Sequence, residues 1–213
     1  PLRCVGTKPR PRGRAMSSPW IAAAIALFLW WFSTGLILCR VRLADRAGAG
    51  AHLRSFFWSL PILAFGLWGL VETAHDASVL GVYLAFLSAL AVWGWIELAF
   101  LSGQITGPNR VPCPDDAPEW KRFLRAWGTI AYHELALVAV LTLLVYEVWR
   151  EPNPFGLYTF ALLFFARISA KLNLFYGVPR INTEFLPKPL AHMPSYFRND
   201  ITNGLLPFSI MSL

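Results

Sequence analysis

The sequence is poor in charge: Asp, Glu, Lys and Arg make up only 15% of its residues, against about a quarter in an ordinary soluble domain. That excludes a water-soluble domain of the usual kind. Cysteine is just as sparse, and Cys4, Cys39 and Cys113 are an odd number with no C-x-x-C spacing, which excludes a disulfide scaffold or a cysteine-built zinc site. There is no dense basic cluster either. The formal charge of +7 is dispersed between apolar blocks, so no nucleic-acid partner is expected. Nor does the chain hold a G-x-S-x-G, a P-loop, a G-x-G-x-x-G or a paired Asp-rich motif, which leaves no motif that points to catalysis.

What is there is apolar. Hydrophobic residues make up 56% of the chain, and its mean hydropathy of +0.48 reads as an integral membrane protein. A bilayer crossing needs about 20 mainly apolar residues. Five stretches qualify: Trp20 to Cys39, Ser55 to Ala74, Val79 to Leu101, Ala126 to Trp149 and Phe155 to Tyr176. A sixth apolar stretch, Leu205 to Leu213, is too short to cross and reads as the start of a further span. The expected fold is therefore all-α, a polytopic transmembrane helix bundle over 16–213 with a cytoplasmic loop at 177–204. The runs are apolar all round, so periodicity does not say which face packs.

Basic residues set the expected orientation. Arg40, Arg42, Arg46 and Arg54 follow the first run, Arg110, Lys121, Arg122 and Arg125 follow the third, and Arg180, Lys188 and Arg198 follow the fifth. The intervening loops hold only Arg150. Positive-inside bias places the basic loops in the cytoplasm and the N-terminus outside. The Pro- and Arg-rich residues 1–15 would then lie on the wrong side, so translation is expected to start at Met16. Trp20, Trp58, Trp95, Trp127 and Trp149 fall near run ends, as interfacial indoles do, whereas Trp30, Trp31, Trp68 and Trp93 lie deeper.

Ionisable residues inside spans are costly and face a partner, a cavity or water. Five stand out: Glu97, His133, Glu134, Arg167 and Lys171. Counting roughly 1.5 Å per residue from the cytoplasmic run ends puts Glu134 level with Arg167, and Glu97 level with Lys171. Two stacked ion pairs are expected, either as a clasp that orders the bundle or as the polar floor of a ligand pocket. His133 is a candidate nitrogen ligand for the magnesium of a chlorophyll-type pigment. "HELAL" has Leu137 where a zinc protease needs its second histidine, and no dedicated metal site is expected. Asp115 and Asp116 lie in a Pro-rich loop that reads as a turn.

The stretch "KLNLFYGVPRINTEFLP" leaves the last run through Gly177 and Pro179, which break the helix. Beyond it Arg180, Asn182 and Glu184 are candidate partner-binding residues, and Asn173 joins Glu97, His133, Glu134, Arg167 and Lys171 as a candidate cofactor-binding residue. This stretch, with "FSTGLIL", "FLSGQITGPNRVPCP", "YHELAL" and "HMPSYFRNDITNGLLPFS", resembles the photosynthetic complex assembly protein 2 (PuhE) family over about Pro19 to Ser209. The resemblance implies a multi-span protein of the bacterial inner (intracytoplasmic) membrane that helps to form the reaction centre and core light-harvesting complex, with reaction-centre or core-antenna polypeptides as partners and bacteriochlorophyll as a possible ligand. It also implies further spans beyond this chain. An assembly factor is the reading to prefer. The alternative is an integral membrane enzyme acting on a tetrapyrrole or isoprenoid, with Glu134 as general acid or base. A transporter is disfavoured by the absence of repeat symmetry.

Overall fold

The computed structural model describes residues 18–179, 181, 183, 184, 186–198 and 202–212. Seven α-helices account for most of them: α1 (Pro19–Ala47), α2 (Ala49–Trp58), α3 (Leu60–Ala74), α4 (Val79–Leu101), α5 (Glu119–Val148), α6 (Phe155–Tyr176) and α7 (Leu205–Ser212). No strand occurs among the described residues. Five helical segments are long and apolar enough to cross a membrane, α2 and α3 forming one of them over Gly50–Ala74.

Three helices overrun the apolar stretches that predict them. Helix α1 continues eight residues past Cys39, so Arg40, Arg42 and Arg46 are helical. These residues are good helix formers, and the extension has a face to bury, with Val41 and Ala44 packed inside. Helix α5 begins seven residues before Ala126, and the second span begins at Gly50. At 1.5 Å per residue, α1 is roughly 44 Å long, more than the ~30 Å hydrocarbon layer. Its basic end therefore reaches the headgroup level. The α2–α3 join at Ser59 follows from Pro61, whose nitrogen cannot donate within a helix.

The core lies where α3, α4, α5 and α6 meet. Leu70, Val92, Trp93, Ile96, Leu137, Leu144, Phe160 and Phe164 are buried together, with the Trp93 and Phe160 rings edge-on at 5.4 Å. Close approach of α3 and α4 depends on Gly66, where a Cβ would stand 2.8 Å from Val92. Helix α1 packs chiefly against α2 and α4, and most of its apolar surface is exposed.

Each end of the bundle has its own fastening. At the end away from the arginine-rich loops, Asn153 is buried; its side chain donates to Thr73 O and Asp76 O, both at 2.9 Å, and its amide to Ala74 O at 3.0 Å. At the other end, the described residues of the segment read as a loop over 177–204 are folded down on the helix termini. It forms 3-10 turns at Lys188–Leu190 and Met193–Tyr196, and Leu190, Met193 and Tyr196 are buried. Arg122 holds it: the guanidinium stacks 3.9 Å from the Phe175 ring centre and donates to Tyr196 O (2.6 Å) and Phe175 O (2.9 Å). A buried residue at every third position, Pro187, Leu190, Met193 and Tyr196, matches the three-residue period of these turns and governs the stretch.

Candidate intramembrane site

Helices α4, α5 and α6 bring Glu97, His133, Glu134, Arg167 and Lys171 into one connected group. The pairing differs from the level-by-level expectation. Arg167 Nη2 meets Glu97 Oε2 at 2.9 Å, and Lys171 forms its ion pair with Glu134. The direction of the Cα–Cβ bonds accounts for the exchange, because side chains lean toward their own helix N-terminus. Helix α5 runs opposite to α6, so Glu134 and Lys171 lean toward each other, leaving Arg167 to Glu97.

His133 is wholly buried at the centre of this group. Its Nδ1 lies 3.0 Å from Lys171 Nζ, and its Nε2 lies 3.5 Å from Glu97 Oε1. An ammonium only donates, so Nδ1 accepts, and the neutral ring carries its proton on Nε2, facing Glu97. The Phe100 ring covers the imidazole at 4.4 Å between centres. Both ring nitrogens thus face members of the ionic group.

Depth alone would not hold His133 in place; an irregular segment does. Residues 102–109 leave α4 and run back along α5, with Ser102 and Thr106 buried. Thr106 O accepts from the amides of Tyr132 (2.9 Å) and His133 (3.3 Å), and Asn109 N donates to Gly128 O (3.0 Å). Backbone polar groups at membrane depth need such protein partners. The approach requires glycine at 107, where a Cβ would collide with the Gly128 carbonyl. Sequence reasoning did not single out Thr106 or Phe100; the signal available was the pair of glycines flanking "QIT".

Beside the ionic group lies a cavity of about 860 Å³, walled by α1, α4, α5 and α6 and by the folded-down segment. That size falls within the range of small-molecule sites. Glu97, Glu134, Arg167 and Lys171 form its polar floor, and its walls are aliphatic and aromatic. Of the four deep tryptophans, Trp30 and Trp93 line it, as does Trp127, while Trp31 and Trp68 are exposed on the outer surface. The crevice exists because α1 stands off from α5 and α6.

Asn173 does not join the group. It donates to Ser169 O (2.9 Å) and Ser209 Oγ (2.7 Å), tying α6 to α7. Glu184 is exposed in a turn, and Arg180 and Asn182 lie outside the described residues. Asp115 and Asp116 form a surface turn, as their loop composition predicts. No cluster of three or more His, Cys, Asp or Glu suited to a metal ion occurs among the described residues.

A family model described as "Protein of unknown function (DUF3623)" matches residues 16–213. Among curated proteins, an "Uncharacterized 30.4 kDa protein in puhA 5'region" of Rhodobacter capsulatus is 56% identical over 198 residues, which cover 93% of this chain and 72% of the relative. No solved structure matches the chain.

Proposed function

The chain belongs to the DUF3623 family, and we propose that it is a membrane-embedded assembly factor for the bacterial photosynthetic reaction centre and core light-harvesting complex. In this reading it handles bacteriochlorophyll while partner polypeptides are put together. The observation that carries the ligand-handling part is the aromatic crevice with a charged floor, set between apolar membrane-spanning helices. The process is supported by the sequence resemblance to photosynthesis-cluster proteins and by the relative's description as lying in the puhA 5′ region. The protein would act in the inner (intracytoplasmic) membrane with its N-terminus outside.

Residue roles follow from the geometry. Glu97, Glu134, Arg167 and Lys171 meet the ligand, and Asn173 supports α6 behind them. His133 has its two nitrogens turned to Lys171 and Glu97, so the proposal makes it a positioning residue and not the pigment's axial ligand. Arg180, Asn182 and Glu184 remain the proposed partner-facing residues.

The test is to purify the complete protein from its phototrophic host in mild detergent and record its near-infrared absorption. Bound bacteriochlorophyll, or co-purifying reaction-centre or antenna polypeptides, is expected; a colourless preparation without such polypeptides overturns the reading. A second reading, an enzyme modifying a tetrapyrrole or isoprenoid, is favoured by one feature: the Glu134 carboxylate lines the crevice beside Lys171. Under it, a Glu134→Gln strain accumulates a defined pigment intermediate. Under the assembly reading, pigments in that strain are normal and the complexes are defective.

A further inference from the structure

We infer that the crevice receives an uncharged lipophile through a carbonyl oxygen, with Arg167 as the donor that reads it. The inference rests on the crevice being a ligand site, and it is independent of which complex the protein helps to build.

Charge balance is the first argument. Among the described residues, the floor holds two carboxylates, Glu97 and Glu134, and two cations, Arg167 and Lys171, paired one to one. With a neutral His133 ring the group is already balanced. A ligand bearing a full charge would leave one charge uncompensated in a poorly solvated place, which is strongly unfavourable. An anionic headgroup is therefore rejected by Glu97 and Glu134, and a cationic one by Arg167 and Lys171.

Donor supply is the second argument. A guanidinium presents five N–H donors, and Arg167 meets Glu97 through Nη2 alone. Its Nε is buried without a partner, while its side chain keeps 31% of its surface open and lines the crevice. Lys171, in contrast, is taken up by Glu134 and His133. Arg167 thus supplies most of the unused donors on the crevice floor, and an acceptor is what satisfies them. Glu97 meets Arg167 through Oε2 alone, and its Oε1 is buried and turned away toward His133 Nε2 at 3.5 Å.

The walls give the third argument. Trp30, Trp93, Trp127 and Phe164 line the same crevice as Arg167, and flat rings stack well on such surfaces. A conjugated ring bearing a carbonyl, with an apolar tail, fits this arrangement. Two kinds of molecule share that chemistry: a quinone and the keto-bearing macrocycle of a tetrapyrrole.

The test uses the full-length protein in mild detergent with four probes: decylubiquinone, bacteriopheophytin, palmitate and dodecylbenzene. Bacteriopheophytin carries ring carbonyls and no magnesium, so axial ligation plays no part in its binding. Saturable binding of decylubiquinone or bacteriopheophytin is expected, about tenfold or more tighter than palmitate or dodecylbenzene. The better of the two identifies the source. The double variant Glu97→Gln/Arg167→Met keeps the charge balance and removes the guanidinium donors, and it should lose that preference while retaining its thermal transition. Palmitate binding as tightly as the carbonyl probes overturns the inference, as does an undiminished preference in the folded double variant. Absence of saturable binding by either carbonyl probe overturns it too. None of these outcomes depends on whether reaction-centre assembly fails in the host.

Discussion

Lys171 Nζ stands 3.0 Å from His133 Nδ1 while forming the ion pair with Glu134. One ammonium thereby sets the histidine tautomer and neutralises a carboxylate buried among three helices. The Nε2 side of the ring is turned to Glu97, the partner of Arg167, at 3.5 Å, so the imidazole lies between two ion pairs.

Replacing Lys171 by Met removes both functions at once. An uncompensated Glu134 should cost about 3 kcal/mol of stability, measured by unfolding in mixed micelles. The double variant Lys171→Met/Glu134→Leu should recover most of that loss. Nitrogen NMR of His133 provides the second readout: the Nε2–H tautomer expected in the wild type should give way to a mixture. An unchanged tautomer would show that Lys171 does not set it.

Gly107 is the point where an irregular segment touches a membrane helix. Gly107→Ala places a methyl against the Gly128 carbonyl, and a loss of about 1 to 3 kcal/mol is expected from the overpacking. Gly50→Ala meets nothing within 4 Å and lies inside α2, so it should be neutral or stabilising by about 0.5 to 1 kcal/mol. Equal effects at the two sites would contradict the close approach.

Arg122 fastens the 188–198 segment with two backbone acceptors and a ring. Lysine cannot reproduce a planar fork that serves Tyr196 O and Phe175 O together. Arg122→Lys should therefore lose about 1.5 to 3 kcal/mol and expose the segment to limited proteolysis. Resistance equal to that of the wild type would mean that the segment is held by its apolar contacts and its other hydrogen bonds, such as Tyr196 Oη to Val111 O (2.9 Å) and Cys113 N to Ser195 Oγ (2.8 Å).

Outside the spans, Asp76 accepts from the Ser78 amide (2.8 Å) and hydroxyl (2.9 Å). The amide bond first, then the hydroxyl, holds its carboxyl below the ordinary value of 3.8. A depressed acid stabilises the fold above its unfolded pKa and ceases to do so as pH falls through the folded one. Asp76→Asn should thus lower the melting temperature at neutral pH, with the difference closing as pH drops below 3.8. A gap that persists in acid would assign the effect to packing.

Composition and run length sufficed for the helical, membrane-spanning class, because crossing a bilayer depends on local hydropathy and on backbone bonds closed within each segment. The same local reasoning found Glu97, His133, Glu134, Arg167 and Lys171, since a charge in an apolar run stands out whatever surrounds it. Which carboxylate meets which cation was not legible in the same way. It depends on helix direction and on the lean of each side chain, and depth counted from run ends carries neither. The crevice also needed the tertiary structure, because runs apolar on every face do not reveal that α1 stands apart from α5 and α6. Likewise nothing in the pattern of apolar runs ties the segment 102–109 to the site; only its bonds to Gly128, Tyr132 and His133 make it part of it.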